Sequence, residues 1–63
     1  MIVKVPAYRL QGPKGRRYVF APTGDGMVTV RRFEGGRMTR EERLPVVTAR
    51  RRWEWLKSLG YEM

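Results

Sequence analysis

The chain has 63 residues, and its 14 basic side chains outnumber 6 acidic ones for a formal charge of +8. It holds neither cysteine nor histidine. That excludes a disulfide framework and a thiolate metal site, and it removes the commonest general base and zinc ligand. A chain this short buries only roughly 60% of its unfolded surface, so one compact domain over residues 1–63 is expected.

Eleven of the cations are arginine, and the isoelectric point is near 11.2. Such a balance points to a polyanionic partner: nucleic acid (DNA or RNA), or an acidic surface of a larger protein complex. Asparagine is absent and Gln11 is the single glutamine. With arginine favoured over lysine, this fits a thermophile or a GC-rich genome, which explains the choice of cation but not the shortage of acids. A hydrophobic content of 41% with seven aromatics is that of a globular domain rather than a disordered one. No run approaches the roughly 18 apolar residues of a membrane span, and Met1-Ile2-Val3-Lys4-Val5 lacks the apolar core of a signal peptide. The expectation is a cytoplasmic protein with no membrane partner.

Four β-like stretches come first. Residues 2–10 alternate, with Val3, Val5 and Ala7 on one face and Lys4, Pro6 and Tyr8 on the other. Pro6 cannot donate to a ladder, so this strand belongs at an edge or carries a bulge. Gly12-Pro13-Lys14-Gly15 is a turn, and residues 16–22 form a second strand in which Tyr18 and Phe20 share a face. Thr23-Gly24-Asp25-Gly26 carries an Asp-Gly hairpin step before a third strand over 27–33. Glu34-Gly35-Gly36-Arg37 reads as a two-residue hairpin turn into a fourth strand over 37–44.

That turn sets a register with Phe33 opposite Met38, Arg31 opposite Arg40 and Met27 opposite Leu44. The large apolar residues then gather on one face, and Val28 and Val30 take the other with Arg32, Thr39, Glu41 and Arg43. Thr39-Arg40-Glu41-Glu42 also spells a capping box. A single helical turn ended by Pro45 is therefore the rival for residues 39–44; the hairpin favours the strand.

A helix over 49–59 closes the chain, with Thr48 as N-cap and Gly60 just past the last turn. Ala49, Trp53, Leu56 and Leu59 recur at helical spacing as the stripe that packs on the sheet. With no internal repeat or linker, the fold class is α+β: a small antiparallel sheet of three to four strands packed by one C-terminal helix (ββββα).

Arg50, Arg51 and Arg52 then fall in the first helical turn, where the macrodipole disfavours cations by about 0.3–1 kcal/mol each when exposed. A triple arginine there suggests an approaching anion; the plainer reading pairs Arg50 with Glu54 and leaves the others solvated. Trp53 belongs to the core stripe. Trp55, about 200° away around the helix, covers the core's rim beside Arg51 or offers a stacking or docking surface. The strands carry Arg16, Arg17, Arg31 and Arg32 beside Tyr8, Tyr18, Phe20 and Phe33, a general pattern for nucleic acid, with arginine on phosphates and rings under bases.

Candidate residues for binding nucleic acid or another anionic partner are thus Arg16, Arg17, Arg31, Arg32, Arg50, Arg51, Arg52 and Trp55. Glu41 and Glu42 diverge if they lie in a strand, and the lone Ser58 has no histidine to activate it. No enzyme activity, cofactor or metal is expected. The element order is similar in outline to small transcriptional-coactivator and whirly-type single-stranded-DNA binders, and to sheet-reading DNA domains such as integrase arm-binding domains. The resemblance covers element order alone, without a residue-level motif. It implies binding through the sheet, and in the former families dimerisation through the helix. A homodimer would also cover an exposed sheet edge and Trp55.

Overall fold

A computed structural model describes residues 7–63 of the chain. In chain order the elements are β1 (Tyr8–Gln11), β2 (Arg16–Pro22), β3 (Met27–Glu34), β4 (Arg37–Pro45) and α1 (Val46–Ser58). The strands form one antiparallel sheet in the order β1-β2-β3-β4 with α1 on one face, the ββββα arrangement read from the sequence. Residues 39–44 are strand, not a helical turn. Of the first predicted strand, Val3, Val5 and Pro6 lie outside the described residues, and β1 itself is the sheet's first strand.

Two connections explain the meander. Gly35 and Gly36 both take positive φ, 59° and 82°, the conformation a two-residue primed turn requires and only glycine adopts cheaply. The longer β2–β3 loop is held by Asp25, whose carboxylate accepts from the Thr23 hydroxyl and from the Met27 N–H at 3.1 Å. Arg43 of β4 closes on the same carboxylate. These donors, the Thr23 hydroxyl first, hold the Asp25 carboxyl below its ordinary range.

The expected β3–β4 register fails after its first pair. Phe33 is opposite Met38, but a β-bulge at Thr39 shifts every later pair, so Arg31 faces Glu41 rather than Arg40, and Met27 faces Pro45 rather than Leu44. One extra residue in a strand sends each subsequent side chain to the other face. Its cause is visible: Thr39 Oγ1 receives the Arg32 Nε–H at 2.9 Å and donates to the Arg32 carbonyl at 3.3 Å. The core face therefore carries Val28 and Val30 with Leu44, and the large residues Met27, Phe33 and Met38 go to the opposite side.

Cross-strand rows on the core face run Tyr8-Phe20-Val30-Glu42, Leu10-Tyr18-Arg32-Arg40 and Pro22-Val28-Leu44. Leu10, Phe20, Val28 and Val30 close on Ala49 and Leu56 of the helix and on Tyr61 beyond it. Leu10 and Leu56 are fully buried, each stabilising the fold by about 1.5–3 kcal/mol through transfer from water. Trp53 packs edge-on against Phe20 and Tyr8, at centroid distances of 5.2 and 6.1 Å.

The helix starts three residues before its predicted N-terminus. Pro45 fixes the entry with φ −57°, and the Val46 N–H donates to the Gly26 carbonyl at 3.0 Å. A carbonyl from the β2–β3 loop thus does what a side-chain cap would otherwise do, and Thr48 is the third helical residue, not the N-cap. The other end is as expected. Gly60, at φ 99°, lets its own N–H reach the Lys57 carbonyl and the Tyr61 N–H reach that of Leu56, a Schellman closure. Leu59 drops out of the packing stripe and is 54% exposed.

After the closure the chain returns to the sheet. Gln11 and Glu62 exchange backbone hydrogen bonds of 2.6 and 2.9 Å across the outer side of β1. The Tyr61 ring meets Tyr18 edge-on at 5.4 Å and lies against Gly12, where an added Cβ would run into it.

Candidate nucleic-acid interface

The alternation that builds the core also builds the opposite surface. Its rows run Arg9-Val19-Arg31-Glu41, Gln11-Arg17-Phe33-Met38 and Ala21-Thr29-Arg43. No described element packs on this face, so four arginines and one glutamate stand around a strip of half-buried Val19 and Phe33.

Three of these arginines are held in position. The Arg17 guanidinium lies 4.9 Å from the centre of the Phe33 ring, a cation–π contact that leaves its hydrogen-bond donors unused. Arg31 Nε donates to Glu41 Oε2 at 2.6 Å, and Arg43 reaches Asp25. Arg9 makes no ion pair among the described residues. Because a guanidinium has five N–H donors in a planar fork, one carboxylate contact orients it without exhausting it.

The candidate residues divide among three places. Arg17 and Arg31 stand on the helix-free face. Arg16 and Arg32 are on the helix side, sharing Glu34 at 3.6 and 3.7 Å. Arg52 also points there, sharing Glu42 with Arg40 and lying 3.6 Å from its Oε2. Arg50, Arg51 and Trp55 are exposed on the helix. The eight candidate residues therefore do not share one surface.

This placement makes two further corrections. The earlier helix start leaves Arg50, Arg51 and Arg52 in the second turn, beyond the orphan N–H groups where the macrodipole is felt most. Among the described residues Arg50 and Glu54 make no ion pair. The interleaving of rings with arginines also breaks up, because Tyr8, Tyr18 and Phe20 face the helix and Phe33 alone of the four shares a face with Arg17 and Arg31. Arg9 and Arg43 complete the helix-free face, outside the candidate set; period-2 alternation in β1 and β4, with the bulge counted, is the signal that names them.

Among the described residues no three His, Cys, Asp or Glu side chains group as metal ligands do, and no helix is long and apolar enough to cross a membrane. Glu41 and Glu42 point to opposite faces, each with an arginine. Comparison with protein-family models, curated proteins and solved structures finds no match in any of the three.

Proposed function

We propose that the protein is a small, non-catalytic nucleic-acid-binding module that grips the phosphate backbone with its helix-free sheet face. One observation carries this reading: on the side of the sheet that the described fold leaves uncovered, Arg9, Arg17, Arg31 and Arg43 outnumber the two acids that meet them, Glu41 at Arg31 and Asp25 at Arg43. The same alternation could have placed neutral polar residues there, as outward sheet faces commonly have. Arginines preset by a ring or a carboxylate lose less freedom on meeting a phosphate than unrestrained ones. A single partly covered ring offers little for bases to stack on, so backbone contacts dominate and sequence preference is weak.

The test is a titration of short DNA and RNA oligonucleotides at several salt concentrations. Four phosphate contacts predict a slope of log K against log salt near −3.6, roughly a hundredfold loss between 50 and 200 mM salt. Replacing both Arg9 and Arg17 by Gln shallows that slope by about 2. Affinity that is unchanged over this salt range removes the proposal.

A further inference from the structure

The helix carries a second stripe. Thr48, Arg52, Trp55 and Leu59 succeed one another at four, three and four residues, the spacing by which Ala49, Trp53 and Leu56 reach the core. Shifted by one residue, about 100° around the axis, it runs along one flank of the helix, with Arg52 on the sheet side of the flank at Glu42 and Trp55 and Leu59 turned to solvent. Trp55 and Leu59 are 55% and 54% exposed there. Arg51 stands one turn before Trp55, on the neighbouring position of the helix surface. Glu54 belongs to the other flank, where it lines the groove beside Trp53.

Nothing in the described fold requires Trp55 to be tryptophan. Its side chain makes no aromatic contact among the described residues, and its carbonyl, which accepts the Ser58 hydroxyl at 2.6 Å, would be the same in any residue. Tryptophan and arginine are the side chains that most often anchor protein interfaces, set in a ring of polar neighbours. Leu59 one turn on extends the apolar strip along a helix, the arrangement that accepts another helix laid beside it.

Charge selects the occupant. The flank brings Arg51 and Arg52 with no acid of its own, and Glu42, the one carboxylate beside Arg52, is already shared with Arg40. A second copy would bring another formal charge of +8 against the first. A bilayer surface would need a wider apolar face than Trp55 and Leu59 provide. We infer that the Arg51–Arg52–Trp55–Leu59 flank docks an acidic amphipathic helix of a partner protein, independently of the sheet face.

The test uses the full chain and three dye-labelled helical peptides about 20 residues long. All carry the same leucine stripe, and the flanking positions are Glu in one, Gln in another and Lys in the third. By fluorescence anisotropy the Glu peptide binds at least about tenfold tighter than the Gln peptide, and the Lys peptide does not bind. Replacing Trp55 and Leu59 together by Ala weakens the Glu peptide about tenfold or more and leaves oligonucleotide affinity unchanged. Arg51→Glu, which touches no core residue, moves the preference toward the Lys peptide. The inference is overturned by equal binding of the three peptides, by none binding, or by an Ala double variant that binds as the parent does. Sedimentation showing a dimer that the double variant dissolves would assign the flank to a second copy instead. Oligonucleotide binding by the same samples reports on the sheet face separately, so the two proposals fail independently.

Discussion

The two faces of the sheet are made by the same strands, residue by residue in alternation, yet they do opposite work. Facing the helix, Leu10, Phe20, Val28 and Val30 exclude water with Ala49 and Leu56. Facing away, Arg9, Arg17, Arg31 and Arg43 surround Val19 and Phe33. In a domain this small nearly all the stability must come from the first face, because the described fold has no second layer to share it. The second face is consequently freer in composition, and its four arginines exceed the two acids that meet them, Glu41 and Asp25. Position along a strand thus separates residues that hold the fold from residues available for binding.

The sharpest way to break that division is to attack the covered face. Leu56→Ala removes a fully buried side chain and should cost about 2–5 kcal/mol, comparable with the whole stability of a domain this size. Chemical denaturation tracked by circular dichroism should show it largely unfolded. A smaller loss of about 1–3 kcal/mol is expected for Gly12→Ala, whose new methyl group meets the buried Tyr61 ring; the same denaturation curve measures it.

On the other face the expectation reverses. The Arg9→Gln and Arg17→Gln double variant should leave the unfolding midpoint almost unchanged, within about 0.5 kcal/mol for an exposed substitution. It should nonetheless weaken oligonucleotide binding about tenfold or more at 50 mM salt. A variant that lost stability along with binding would erase the distinction between the faces.

The smallest effect concerns the β2–β3 loop. Asp25 has its pKa lowered in the folded state by the Thr23 hydroxyl, the Met27 N–H and Arg43. A lowered folded pKa means that its contribution is fully present above the ordinary carboxylate range and is lost as pH falls through the folded value. Asp25→Asn should flatten this part of the stability profile between neutral and acid pH, read as thermal midpoints across that range. A parallel acid dependence in the two proteins would remove Asp25 as the cause.

Much of this was legible in the residues. Four stretches bounded by glycine turns, the Gly35-Gly36 step and Gly60 after an apolar helical stripe named the elements and their order. Local rules suffice there, because each feature depends on neighbours in sequence. The features that the residues did not reveal depend on partners distant in the chain. Thr39 is absorbed into a bulge by bonding to Arg32, and that one residue moves Leu44 from the face of Met27 to the face of Val28 and Val30. The helix start was hidden because its first N–H is bonded by Gly26 from another loop, while Thr48 offered a side-chain cap nearer the apolar stripe. The candidate arginines were suspected as a class, but doublets such as Arg16-Arg17 and Arg31-Arg32 necessarily split between faces. Only the register says which member stands where.

The central claim is that arginines of the helix-free face, rather than those of the helix, meet the phosphates. Side-chain Nε–Hε signals of the arginines, monitored by NMR while an oligonucleotide is titrated, test this residue by residue. The account predicts that Arg9, Arg17, Arg31 and Arg43 shift progressively while Arg50 and Arg51 hold still. Movement of the helix signals with the sheet signals unmoved would contradict it.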